Sequence, residues 1–93
     1  MDRNGCTALM YAAQGGYREG IQLLTGELKM QNYDGTSALM FAVCEGESEC
    51  VELLLEEKML QDKAGQTALV IAIEKGNLKC TQLLLEESSI ANN

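Results

Sequence analysis

Ninety-three residues make one domain with room for a modest core, and fourteen acidic against seven basic side chains leave a net charge of −7. That balance excludes the basic surface that nucleic acid or an anionic membrane requires. The longest apolar stretch, 68–73, is far short of the roughly 20 residues of a membrane span, and the N-terminus lacks an apolar signal region, so an intracellular, cytoplasmic location is expected.

The chain repeats itself at a period of 30. Gly5, Gly35 and Gly65 form one series, and the same register aligns Ala8/Ala38/Ala68, Leu9/Leu39/Leu69 and Ala12/Ala42/Ala72. Gly16/Gly46/Gly76, Leu23/Leu53/Leu83, Leu24/Leu54/Leu84 and Glu27/Glu57/Glu87 complete it. Such a period marks a stacked array, because one short unit cannot bury its apolar face alone. The expected organisation is a single domain, 1–93, of three units at 1–30, 31–60 and 61–90 with a short tail, 91–93.

The elements follow in chain order. In the first unit Thr7 offers a hydroxyl to start a helix that Gly16 ends, and a second helix follows. This unit carries Gly15, Gly16, Gly20 and Gly26, and Thr25 where the others have Leu55 and Leu85, so it is expected to be the least stable. In the second unit Asn32-Tyr33-Asp34-Gly35 reads as a turn and Ser37 as the next helix start. Residues 38–43 are too densely apolar for one narrow stripe, as in a helix sandwiched between neighbours. After Gly46 a second helix should begin near Ser48 or Glu49 and run to about Glu57, with Cys50, Val51, Leu53, Leu54 and Leu55 inward. In the third unit Leu69-Val70-Ile71-Ala72-Ile73 suits a buried strand by composition. The alanines four apart in every unit, on one helical face, favour helix instead. Asn77 is placed to cap the last helix.

Four cysteines, Cys6, Cys44, Cys50 and Cys80, lack C-x-x-C spacing and have no histidine to join them. They are expected to be buried, reduced thiols serving as small apolar residues. Cys50 and Cys80 hold equivalent places in neighbouring units, about 8–10 Å apart, beyond the span of a disulfide. No histidine exists to activate Ser, Thr or Cys, and the glycines are not spaced as a phosphate loop, so neither enzymatic activity, cofactor nor metal is expected.

The run Asp2-Arg3-Asn4-Gly5-Cys6-Thr7-Ala8-Leu9-Met10-Tyr11-Ala12-Ala13-Gln14-Gly15-Gly16 resembles the ankyrin repeat, and it returns at 32–46 and 62–76. The resemblance implies an all-α, ankyrin-type solenoid of three stacked helix-turn-helix repeats. Three departures stand out. Ala8, Ala38 and Ala68 replace the usual Pro. Met10, Met40 and Val70 replace the usual His, removing its side-chain hydrogen bonds. The period is 30 rather than 33, so the projecting β-hairpin should shrink to a tight inter-repeat loop. Short repeats of this T-A-L-M type are similar to those of large protist ankyrin arrays, found alone or beside protein-kinase domains.

The resemblance also implies a partner surface, a concave strip made by turn tips and first helices. By position it comprises Arg3, Asn4, Cys6, Gln14 and Gly15, then Tyr33, Asp34, Thr36, Cys44 and Glu45, then Lys63, Ala64, Gln66, Glu74 and Lys75. These positions differ between copies while the scaffold repeats. Tyr33 stands out, since an exposed tyrosine brings apolar area and a hydroxyl at little entropic cost. The implied function is non-enzymatic binding of a protein or peptide; a spacer within a longer scaffold and a regulatory appendage of a kinase are the alternatives. Glu56-Glu57 and Glu86-Glu87 read either as a solvated face or as an acidic ladder for a basic partner. Neither end has a polar capping repeat, so the flanks are expected to meet further repeats of a longer parent array, the favoured reading, or to leave end-to-end self-association open.

Overall fold

The computed structural model describes the backbone of residues 4–91 and the side chains of residues 4–85. Six α-helices form three antiparallel pairs: α1 (Ala8–Gly15) with α2 (Arg18–Leu23), α3 (Ala38–Glu45) with α4 (Ser48–Leu53), and α5 (Ala68–Lys75) with α6 (Leu78–Ala91). The first helices α1, α3 and α5 stack side by side in one layer, and α2, α4 and α6 stack in a second. Residues 69–73 are helical, so the strand alternative is set aside.

Each first helix begins and ends as its sequence dictates. Thr7, Ser37 and Thr67 are extended and accept from the amides of Met10, Met40 and Val70. Gly16, Gly46 and Gly76 then close the helices in the left-handed region. Met10 and Met40, which stand where histidine is usual, make a local bond of their own. The Thr7 and Ser37 N–H groups donate to their thioether sulfurs at 3.4 and 3.5 Å, completing capping boxes with a weak sulfur acceptor. Val70 has no such atom, and the third repeat has no box.

The second helices are shorter than their apolar pattern suggests. The helical turns of α2 and α4 give out at Leu23 and Leu53, and tighter 3-10 turns follow at Thr25–Glu27 and Leu55–Glu57. Only α6 continues, to Ala91, and it alone has a described side-chain cap, Asn77 Oδ1 accepting from the Cys80 amide at 3.0 Å. The β-hairpin between repeats is reduced to a turn with one bridge, Gln31 to Ser37. Gly35 at its tip has φ +80, and a Cβ there would come within 2.8 Å of the Asp62 backbone. Chain handedness and the close approach of the next repeat both demand glycine. In the first repeat, Gly20 lies within α2, Gly15 is the last residue of α1 and Gly26 sits in the 3-10 turn, while Gly16 is the cap shared by all three repeats.

Glu57 fits neither reading offered for its acidic pair. Its side chain is buried, not solvated, and each carboxylate oxygen has a backbone donor. Oε1 accepts from the Leu39 amide at 2.9 Å, in the first turn of its own repeat's α3. Oε2 accepts from the Lys29 amide at 2.7 Å, in the preceding repeat. The Ser37 hydroxyl donates a third bond. Glu27 does the first of these jobs one repeat earlier, accepting from Leu9 at 2.8 Å. The recurring glutamate is thus a helix-end clamp. The side chains of Glu86 and Glu87 lie outside the described residues, and Glu56 is exposed.

The Lys29 amide reaches Glu57 because its peptide is flipped. Residues 27–30 form a type II turn, with Leu28 at φ −58, ψ 144 and Lys29 at φ 73. One repeat later Lys58 is right-handed, at φ −61, ψ −23. Lysine pays for a left-handed backbone that glycine adopts freely. Lys29→Gly is therefore expected to raise stability by about 0.5–1 kcal/mol, after the entropy glycine adds to the unfolded chain. A denaturant titration reads this as a higher midpoint at unchanged slope.

Burial pushes the Glu57 carboxyl above its ordinary range, and the bonds from Lys29, Leu39 and Ser37 oppose that only in part. A carboxyl whose folded pKa is raised contributes fully below its unfolded pKa. That contribution is lost as pH rises through the folded value. Glu57→Leu is expected to orphan both amides, lower stability by about 1–3 kcal/mol and flatten the fall of stability across that window. Glu52→Gln, exposed on α4 and outside the groups that act on Glu57, should leave both unchanged, and denaturant midpoints at stepped pH compare the two.

The buried core runs through all three repeats, with Leu39, Met40, Ala42, Val43, Val51 and Leu54 of the middle repeat wholly enclosed. Leu54 has a repeat on either side, whereas Leu24 is only half-buried. Leu54→Ala is expected to cost about 2–5 kcal/mol and Leu24→Ala distinctly less, measured by the same titration.

Candidate functional site

Turn tips and first helices meet at the junction of the first two repeats in a cleft of about 360 Å³. Asn4 and Cys6 come from the first turn, Met10, Tyr11 and Gln14 from α1, Asn32, Asp34 and Thr36 from the second turn, and Phe41 from α3. The second turn is rigid because Asn32 Oδ1 accepts from the Asp34 and Thr36 amides, both at 2.9 Å. Its Nδ2 donates to Cys6 Sγ at 3.5 Å, tying the two tips together. The Tyr33 amide adds a bond to the Asn4 carbonyl at 3.0 Å, and the Lys63 amide repeats it on Asp34 at 3.0 Å. Gln31 spans the next junction, its Nε2 donating to the carbonyls of Gly35 and Gln61, each at 2.7 Å.

Five of the positions inferred from the resemblance line this cleft together: Asn4, Cys6, Gln14, Asp34 and Thr36. Cys6 is buried, so it offers a wall rather than an exposed contact. Tyr33 is exposed but outside the cleft; its ring lies against Gly5, where a Cβ would come within 2.8 Å. Cys44 and Glu45 are exposed at the end of α3, and Gly15 is exposed at the end of α1. Lys63 and Ala64 are exposed at the third tip. Gln66 donates to Glu74 at 2.7 Å, and Lys75 is exposed beyond them. Arg3 lies outside the described residues.

Asn32, Tyr11, Met10 and Phe41 were not among the inferred positions. Position 11 of the repeat carried a signal, since it is aromatic in the first two copies (Tyr11, Phe41) and aliphatic in the third (Ile71). Asn32 carried another, being the turn residue whose short amide can bond backbone on both sides.

Chemically the cleft is polar at its rim and apolar at its floor. The cysteines divide in a way their composition did not foretell. Cys6, Cys50 and Cys80 are buried, but Cys44 is exposed. Burial raises the Cys50 and Cys80 thiols above their ordinary range, which leaves them poor nucleophiles. Among the described residues no group of three His, Cys, Asp or Glu side chains could hold a metal ion, and no helix is long and apolar enough to cross a membrane.

A family model described as "Ankyrin repeats (3 copies)" matches residues 9–93. No curated protein matches the chain. Repeats of this kind are generally protein–protein interaction modules. With three copies covering nearly its whole length and six helices in stacked pairs, the chain belongs to the ankyrin-repeat family.

Proposed function

We propose that the chain is a non-enzymatic module that holds a segment of another protein along its turn tips and first helices. The cleft at the first junction carries this reading. It joins a half-covered apolar floor to polar side chains on a frame that hydrogen bonds hold still, so little order has to be gained on binding. Asp34 and Gln14 present polar atoms at the rim, and Tyr11 gives the floor an exposed aromatic surface.

Peptides selected from a random display library against the immobilised chain test this directly. Asp34→Lys and Gln14→Ala are each expected to weaken a selected peptide about tenfold or more, equivalent to about 1.4 kcal/mol. Lys79→Ala, on the opposite helix layer, should leave the affinity unchanged. Peptides that respond to Lys79→Ala and ignore both rim changes would place binding elsewhere. The strip further along, at Tyr33, Glu45, Lys63, Gln66, Glu74 and Lys75, is read the same way, as the continuation of this surface.

A further inference from the structure

The three repeats act as controls for one another, and burial at matched positions reveals which side of each repeat needs a neighbour. Met10 and Met40 are sealed, yet Val70 at the same position is 40% exposed. Ala13 and Val43 are sealed, yet Ile73 is 61% exposed. These positions are buried wherever another repeat follows. The converse holds at the other edge. Ala38 and Ala68 are buried but Ala8 is exposed, and Cys50 and Cys80 are buried where Gly20 is only half-covered. Those positions are buried wherever another repeat precedes.

Each internal junction therefore fits a ridge, positions 10 and 13, into a socket around positions 8 and 20. The chain carries one unfilled copy of each half. Its socket is an open apolar depression of about 740 Å³ lined by Ala8, Tyr11, Ala12, Tyr17 and Gly20 among others. The matching ridge is Val70 and Ile73. The glycines give independent support. A Cβ on Gly16 would meet the Glu47 carboxylate at 2.8 Å, and one on Gly46 would meet Asn77 Nδ2 at 3.2 Å. Position 16 is thus covered by position 17 of the following repeat. At Gly76 nothing lies within 4 Å, and the residue that would cover it by the same step is Tyr17, exposed at the far end of the chain.

We infer that copies of this chain associate head to tail, the α5 ridge of one seating in the α1–α2 socket of the next, as a continuation of the interface already present twice within each molecule. The occupant is a second copy because the chain itself carries both complementary halves. Such contacts are heterologous and leave a free half at each end, so growth does not stop at two copies. At the first internal junction, the exposed Arg18–Glu49 pair, 2.8 Å apart, crosses from α2 to α4; at the second the same positions are Ser48 and Lys79. Between copies the same positions are Leu78 and Glu19, with no opposite charge. The contact is apolar, between chains of net charge −7, so added salt should favour it by screening their repulsion.

Sedimentation velocity over a concentration series, at low and moderate sodium chloride, tests the inference. The wild-type mass is expected to climb past a dimer with concentration and to do so more readily in salt. Ile73→Arg spoils the ridge and Ala8→Arg the socket, both at exposed positions. Circular dichroism and a single cooperative thermal transition at low concentration, where the wild type is monomeric, establish that the variants fold. Each alone should remain monomeric, with an apparent Kd raised at least tenfold. An equal mixture should form dimers and stop there, because one good ridge and one good socket remain. A wild-type monomer at every concentration, variants that assemble like the wild type, or a mixture that does not rescue dimers would each overturn the proposal. Peptide capture by the cleft is read separately on the monomeric Ile73→Arg variant, so either result stands without the other.

Discussion

No repeat of this chain can cover its own first helix on both sides. α1, α3 and α5 are apolar around most of their circumference, and the partner helix within each pair hides only part of it. Residues such as Met40 and Val43 are removed from water by the following repeat, and Ala38 by the preceding one. Helices of six to eight residues have little stability of their own, so the interfaces between repeats hold them in place. The period of the sequence, the regular turns and the place of the cleft all follow from that dependence.

The buried glutamate shows how polar groups serve the same end. Helix starts leave amides without intrahelical partners, and here these are packed under a neighbouring turn where water cannot reach them. Glu57 satisfies one of these, the Leu39 amide of its own repeat, and with its other oxygen takes the turn amide of Lys29 in the preceding repeat, and so turns a desolvation problem into a tie between layers. Its cost is a charge out of water, offset only in part by three donors. The flipped peptide at Lys29 belongs to the same arrangement, since a backbone dihedral in one repeat is set where a carboxylate in the next can use it.

Much of this was legible in the residues. Thr7, Ser37 and Thr67, with the glycines nine residues on, mark the first helices almost to the residue because caps are local chemistry. The identity of Asn77 as a cap is local in the same sense. What escaped was non-local. Glu57 looks like one more surface carboxylate beside Glu56, and only the tertiary approach of Leu39 and Lys29 separates them. The second helices looked longer because Leu53, Leu54 and Leu55 continue the apolar pattern while the backbone tightens beneath them. Burial of Cys6 and exposure of Cys44 depend on curvature and neighbours. Of the positions the family likeness suggested, Asn4, Cys6, Gln14, Asp34 and Thr36 lie together at the first junction while Tyr33 does not join them, because turn register and helix phase are fixed by the repeat but side-chain direction at the tip is not.

Sulfur at the helix starts has a consequence for how the protein meets oxidants. The thioethers of Met10 and Met40 are enclosed between layers, while Met59 is 77% exposed and Met30 lies open on its loop. Peroxide therefore meets the loop methionines first. The two sulfurs that close the caps become reachable only after a neighbouring layer has lifted, so their oxidation would record the opening of the stack.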